Sequence, residues 1–116
     1  MTADDQYREG MSGCLFCHIV AGEVPANIVY RDEEFVAFTD INPVAPTHVL
    51  VIPVEHHATI SDLAESDPSL TGRLFRTASR IAEQEKLADG FRLVVNTGDE
   101  GGQTVHHIHV HILGGW

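Results

Sequence analysis

Histidine alternates with aliphatic residues near the C-terminus, in the segment His107-Ile-His-Val-His-Ile-Leu113. A period of two is that of a β-strand, in which successive side chains point to opposite faces. The pattern therefore predicts a strand over residues 106–113, with three imidazoles on one face and Ile108, Val110 and Ile112 on the other. Because imidazole acts as nucleophile, general acid or metal ligand near neutral pH, three on one rigid face indicate a functional site.

Composition limits the size of the fold and the kind of partner. The chain has 116 residues, of which 43% are hydrophobic and 21% charged, values that predict one globular domain with a small core. The formal net charge is −10 and only 7 residues are Lys or Arg. We therefore expect no nucleic-acid partner, since binding to a phosphate backbone depends on these cations. A small anionic ligand remains compatible, because backbone amides and imidazoles can hold it locally.

The sequence also predicts where the protein resides. No apolar run approaches the roughly 20 residues of a membrane span, so we expect no membrane partner. Residues 1–13 are polar and acidic and lack the hydrophobic core of a signal peptide. We interpret them as a flexible tail on a cytoplasmic protein.

The remaining pattern predicts an α+β fold, namely an antiparallel sheet of about five strands with one long helix and a short N-terminal helix. The short helix is expected within Cys14–Gly22 and is closed by the glycine. A second short helix or turn covers Thr59–Glu65. The long helix begins after Asp67, a capping residue, and ends near Leu87. Strands are expected over residues 28–31, 35–39, 48–53, 91–96 and 106–113.

Two motifs offer metal ligands. Cys14 and Cys17 form a Cys-x-x-Cys pair, for which a disulfide, a redox pair, free thiols and half of a tetrahedral zinc site are the alternatives. A disulfide needs an oxidising compartment and a redox pair needs a βαβ context, and the sequence shows a signal for neither. The His-x-His spacing of the C-terminal strand is also compatible with a zinc hydrolase, although no carboxylate lies close to it in the sequence.

These residues resemble the histidine triad (HIT) family, whose signature is His-φ-His-φ-His-φ-φ with φ apolar. Residues 107–113 match it at every position. The resemblance extends to residues 35–48, 93–96 and 101–104, which look like the nucleotide-binding, phosphoramidase-like (Hint) branch. It covers about residues 14–116 and implies a single histidine triad domain.

The resemblance implies a hydrolase of nucleoside 5′-phosphoramidates or related nucleotidyl compounds, with purines preferred. His109 is expected to attack the α-phosphorus and form a nucleotidyl-imidazole that water then hydrolyses. One ring nitrogen must attack, so the other must be tied as a donor, and a backbone carbonyl of the same strand region can tie it. When protonated, His111 is expected to stabilise phosphate charge or assist the leaving group, so no dissolved metal is required. The expected catalytic residues are His107, His109, His111 and Thr104.

The same resemblance implies a nucleotide-binding set. Asp40 is expected to accept hydrogen bonds from the ribose hydroxyls, and Asn96 to orient or contact the phosphate. Gly102 lets the backbone approach a phosphate, with donors from Gln103 and Thr104 beside it. Related sequences commonly have serine at position 104, and the extra methyl of threonine bears on the leaving group. An apolar slot for the purine consists of Phe16, Ile19, Val24, Phe38 and Ile41, and His109 and His111 complete the set.

The resemblance further implies a structural zinc with the ligands Cys14, Cys17, His48 and His107. His48 is ambiguous, because it alternatively relays charge to the triad. His56 and His57 are interpreted as surface or loop residues. Members of the phosphoramidase-like branch often lack the two cysteines, so the chain combines features of two branches.

Several functional alternatives stay open from the sequence. A dinucleoside polyphosphate hydrolase differs only in the leaving group, and a non-catalytic nucleotide-binding or scaffold protein would have a vestigial triad. A homodimer is expected, since a small core and exposed sheet edges favour association. The long helix and the strand over residues 91–96 are the expected contacts with the partner.

Overall fold

A computed structural model describes residues 13–116; the predicted tail therefore lies, apart from Gly13, outside the described residues. The described chain forms one antiparallel sheet in the order β1-β2-β3-β5-β4, with three helices, and the predicted α+β class is confirmed. The strands are β1 (Ile28–Arg31), β2 (Phe35–Thr39), β3 (Thr47–Pro53), β4 (Phe91–Val94) and β5 (Val110–Gly114). The helices are α1 (Leu15–Val20), α2 (Ile60–Ser66) and α3 (Pro68–Gln84).

Local signals in the sequence explain the start and end of α3. The Asp67 side chain accepts a hydrogen bond from the amide of Leu70 at 3.0 Å, and proline occupies the first turn, where it loses no helical hydrogen bond. The helix ends at Gln84, three residues before the predicted end. Lys86 adopts a φ of +65°, and the amide of Leu87 turns back to the carbonyl of Ala82, which closes the helix in the manner of a Schellman motif.

The C-terminal strand is shorter than predicted. β5 pairs with β3 from Val51↔Val110 to Thr47↔Gly114, so residues 106–109 lie before the strand. The amide of Ile108 donates to the carbonyl of His57, in the loop after β3, at 2.7 Å. Pro53 at the end of β3 has no amide hydrogen to continue the ladder. β4 likewise ends at Val94 rather than at residue 96.

The alternation of residues 107–113 nevertheless separates the two faces of the sheet as predicted. Ile108, Val110 and Ile112 belong to one buried cluster with α3. On the opposite face, α1 packs Phe16 and Ile19 in a second buried cluster that includes Phe38, Leu50 and Ile52. The histidines therefore lie on the α1 side of the sheet. None of the helices within residues 13–116 is long and apolar enough to cross a membrane.

Candidate active site

The face of the sheet that carries the histidines opens into a pocket of about 290 Å³ beside α1. One end of the pocket is apolar, and its rim includes Ile41, whose side chain is 90% exposed. The other end is polar. The structure thus brings together most of the predicted nucleotide-binding set, namely Phe16, Ile19, Val24, Phe38, Asp40, Ile41, Thr104, His109 and His111.

A second cleft, of about 440 Å³, lies on the other side of the polar end. It shares Asp40, Thr104 and His111 with the first pocket. Its remaining lining comes from β3 and the loop before it, from β4 and the segment after it, and from β5, and consists of Asn42, Val44, His48, Val94, Asn96 and Leu113. Asn96 therefore faces the second cleft and not the apolar slot. A molecule with two parts can occupy both spaces, with its central group at the shared residues.

His109 is held in one tautomer. Its ring is buried, and Nδ1 lies 2.9 Å from the carbonyl oxygen of His107. Since a carbonyl only accepts, Nδ1 carries the hydrogen, and the lone pair of the neutral ring is on Nε2. The ring of Phe16 meets that of His109 edge to face, with 5.1 Å between the centroids. This arrangement gives His109 the protonation pattern that a nucleophilic imidazole requires.

A chain of hydrogen bonds determines the tautomer of His111. The backbone amide of Val44 donates to His48 Nδ1 at 3.1 Å, so His48 carries its hydrogen on Nε2. That nitrogen lies 2.9 Å from His111 Nδ1, which must accept. His111 therefore bears its hydrogen on Nε2, an atom that is buried without a hydrogen-bond partner among the described residues. His111 is thus a donor whose hydrogen has no acceptor among the described residues, on a side chain that lines both pockets.

The expectation that His111 acts on the phosphate when protonated stays a prediction, but the ring is not charged in the ligand-free protein. Burial, together with the neighbouring His109 and His48, lowers the pKa of His111 to about 4. The ring is therefore neutral near pH 7 in the ligand-free protein, and it donates through its tautomer rather than through a positive charge. Asp40, whose Oδ2 lies 3.4 Å from His48 Nε2, is the nearest anionic group in this chain of contacts.

Replacing His48 tests this arrangement. His48→Ala removes the donor to His111 Nδ1. The His111 tautomer with its hydrogen on Nε2 is then populated for only part of the time. A neutral hydrogen bond contributes about 1 kcal/mol, and we therefore expect kcat to fall roughly three- to tenfold. His48→Asn, which keeps a side-chain donor, should recover part of the loss. If both variants turn over substrate at the wild-type rate, the tautomer chain has no role in the reaction.

His107 faces away from the pocket, into a separate buried cluster. Its Nε2 donates to the carbonyl of Pro53 at 2.8 Å, so the lone pair is on Nδ1. Nδ1 lies 3.3 Å from Cys14 Sγ and 3.5 Å from Cys17 Sγ. The cluster is completed by His56, whose Nδ1 is 3.3 Å from Cys17 Sγ. His107 was expected to be catalytic, but its imidazole does not line the pocket, and only its carbonyl contacts the machinery, through His109.

The cluster is a chemically suitable zinc site. The four ligand atoms of Cys14, Cys17, His56 and His107 lie within 4.8 Å of one another, and two thiols with two imidazoles form a common donor set for tetrahedral zinc. Burial lowers the pKa of His107 to about 4, which keeps its nitrogen available as a ligand. Burial and Cys14 raise the pKa of Cys17 to about 12. A thiolate in this position therefore needs a cation to stabilise it.

His48, one of the four zinc ligands expected from sequence, does not belong to this cluster. His48 is near the start of β3, opposite Leu113, whereas His107 contacts Pro53 at the end of the strand. At about 3.3 Å per residue, these positions are roughly 16 Å apart along the strand. His56, interpreted from sequence as a loop or surface residue, is only part-buried but takes the fourth position. The sequence did contain a signal for this position. His56 follows β3 closely, and if β3 runs antiparallel to the histidine segment, the end of β3 lies beside the start of that segment.

Gln103 of the glycine-rich loop, expected to donate to the phosphate, has its side chain bonded within the protein. The side chain of Gln103 is buried and accepts from the amide of Gly98 at 2.9 Å. It donates to the carbonyls of Ala58 and Val105 at 2.6 and 3.0 Å. Gln103 is therefore committed to holding the loop, and like Gly102, whose φ is +86°, it lines neither pocket. Thr104 is the residue of this loop that reaches both.

Comparison with known proteins identifies the family. The HIT domain pattern matches residues 21–116. The purine nucleoside phosphoramidase of Escherichia coli (strain K12) is 47% identical over 102 residues, which cover 87% of this chain and 86% of that protein. The chain belongs to the HIT domain family.

Solved structures support the same assignment. A HIT family hydrolase from Legionella pneumophila Philadelphia 1 is 48% identical with a TM-score of 0.85, covering 89% of this chain and 93% of that chain. A Zn-bound histidine triad family protein from Mycobacterium smegmatis is 35% identical with a TM-score of 0.80, covering 90% of this chain and 76% of that chain.

Proposed function

We propose that the protein hydrolyses purine nucleoside 5′-phosphoramidates, or related nucleotidyl compounds, through a nucleotidyl intermediate on His109. The observation that carries this proposal is the hydrogen bond from His109 Nδ1 to the His107 carbonyl, which places the lone pair on Nε2. The apolar end of the pocket suits a purine, and Asp40 at its border suits a ribose diol. The activity named for the Escherichia coli relative supports the same substrate class.

In the proposed reaction, His109 Nε2 attacks the α-phosphorus and the bond from phosphorus to the leaving amine breaks. The leaving nitrogen takes a proton from solvent through the Thr104 hydroxyl, at the boundary of the two clefts that Thr104 and His111 form, and departs as the free amine. The attacking water of the second step returns one proton to solvent. The His111 Nε2 donor stabilises the charge on the phosphoryl oxygens. Water then attacks the phosphorus, the bond to His109 breaks, and a nucleoside monophosphate is released. These steps use imidazoles and a hydroxyl, and we expect no need for dissolved metal.

A substrate panel tests the proposed function. Adenosine and guanosine 5′-phosphoramidates should be hydrolysed with a higher kcat/KM than their cytidine counterpart. Diadenosine triphosphate should be a poorer substrate, and the rates should persist during brief exposure to a chelator. A preference for diadenosine triphosphate would favour the dinucleoside polyphosphate hydrolase. Nucleotide binding without any turnover would favour the non-catalytic alternative.

We propose that the cluster of Cys14, Cys17, His56 and His107 holds a structural zinc. The donor set fits, and the Zn-bound relative from Mycobacterium smegmatis supports it. The metal would hold α1 against the end of β3 and would supply no reactive group, since the cluster lines neither pocket. As-purified protein is expected to contain about one zinc per chain.

We further propose a homodimer that pairs through β4. Within residues 13–116, β4 is an edge strand with a neighbour only on its β5 side, and a bare edge favours pairing with another chain. Val94, at the end of β4, lines the second cleft, so pairing there would place the partner close to the site.

Sedimentation tests the dimer directly. At micromolar concentration the mass should be about twice the 12.7 kDa of the chain. Leu93→Pro, which removes an amide donor and is poorly tolerated in paired strands, should shift the population to monomer. Val29→Pro in β1, the other edge strand of the described sheet, controls for nonspecific loss of stability, because Val29 and Leu93 pack against the same buried cluster. A wild-type monomer with full turnover would contradict both the dimer and its role at the site.

A further inference from the structure

The helix α1 joins the candidate zinc cluster to the nucleoside pocket. It has six residues, and isolated helices of this length are unstable, so tertiary contacts must hold it in place. The side chains of Cys14 and Cys17 enter the cluster. Between and beside them, Phe16 and Ile19 form part of the pocket wall. One short element therefore carries residues of both sites.

A second connection runs through His107. Its imidazole nitrogen Nδ1 lies at the two sulfurs, and its carbonyl oxygen accepts the hydrogen bond that fixes His109. Phe16 contacts both rings, with centroid distances of 6.0 Å to His107 and 5.1 Å to His109. The cluster and the nucleophile His109 are thus connected twice, by the hydrogen bond to the His107 carbonyl and by the Phe16 ring that packs against both imidazoles.

We infer that Cys14 and Cys17 are positioning residues for the reaction, and that metal in their cluster and nucleotide in the pocket bind with positive cooperativity. The inference rests on the proposed function, because it takes the pocket to bind a nucleotide. Filling the cluster restrains α1 and His107, so less freedom is lost when the nucleotide orders the same wall. Coupling of this kind is reciprocal and typically amounts to roughly 5- to 150-fold in affinity.

Calorimetry with adenosine monophosphate measures the coupling. The zinc-loaded wild-type protein should bind it at least roughly fivefold more tightly than protein stripped by chelator, with circular dichroism showing that both are folded. The Cys14→Ser, Cys17→Ser double variant should bind with the weaker affinity whether zinc is present or not. Equal affinity of the loaded and stripped wild-type forms would overturn the coupling while leaving the proposed function intact. Absence of binding in every form would overturn the proposed function and the coupling with it.

A spectroscopic measurement separates positioning from simple structural support and does not need folded metal-free protein. Cobalt(II) in place of zinc reports ligand geometry through its visible absorption. Adding adenosine monophosphate to the cobalt-loaded protein should shift these bands, because Phe16 of α1 lines the pocket and also packs against the His107 ring. The shift should follow the same binding curve as the calorimetric titration. Bands that stay unchanged at saturating nucleotide would show that the cluster does not sense the pocket.

Discussion

His109→Ala is expected to lower kcat by roughly four orders of magnitude or more, since nucleophilic attack and its proton management are lost together. Nucleotide affinity should change far less, because the apolar slot and Asp40 remain. Steady-state kinetics with a fluorogenic adenosine phosphoramidate, together with calorimetry for adenosine monophosphate, separate the two effects. The physical basis is the fixed tautomer of His109, which leaves the lone pair on Nε2.

A matched substitution controls for the loss of an imidazole as such. His106→Ala removes the histidine just before the triad, whose side chain contacts Asp99 in the preceding loop at 3.6 Å and lines neither pocket. It should retain turnover within a fewfold of wild type. If His109→Ala keeps near wild-type kcat, the covalent mechanism is wrong, and a direct attack by water must replace it.

Loss of the metal cluster is expected to have the largest effect on stability. Replacing Cys14 and Cys17 together by serine removes two of the four proposed zinc ligands, and loss of a structural metal is among the few changes that cost more than about 4 kcal/mol. For a domain of this size, that free energy corresponds to a melting temperature lower by roughly 15 °C or more. Thermal unfolding of wild type and variant by circular dichroism measures the difference.

Chelation provides the internal control for this second prediction. A strong chelator should slowly lower the melting temperature of the wild-type protein to about that of the double variant. The melting temperature of the double variant itself should not change. His48→Ala should retain zinc, because His48 lies at the opposite end of β3 from the cluster. His56→Ala should lose it. Retention of zinc by His56→Ala together with its loss from His48→Ala would restore the ligand set expected from sequence.

Much of the fold follows from local patterns in the sequence. The β1–β2 hairpin appears at the predicted residues, and the start of α3 follows from Asp67 and Pro68. The period of two in residues 107–113 places Ile108, Val110 and Ile112 in the core beneath α3 even where the strand itself is shorter. In each case neighbouring residues in the chain are sufficient to determine the structure.

The parts of the site that sequence did not predict depend on which distant segments meet. Whether His56 or His48 completes the cluster depends on which end of β3 lies beside residue 107. The tautomer of His111 depends, through His48, on the Val44 amide, 67 residues earlier in the chain by numbering. The role of Gln103 depends on carbonyls of Ala58 and Val105 that the folded loop presents. None of these relations is visible in a local pattern.

The central claim is that His109 becomes covalently nucleotidylated, and rapid-quench intact-mass spectrometry tests it most directly. Wild-type protein mixed with excess adenosine 5′-phosphoramidate and quenched under mildly alkaline conditions should show a transient species heavier by one adenylyl group. Peptide mapping should place that group on His109, and the species should be absent from His109→Ala. Rapid turnover with no adduct at any quench time, or an adduct on a residue other than His109, would contradict the account.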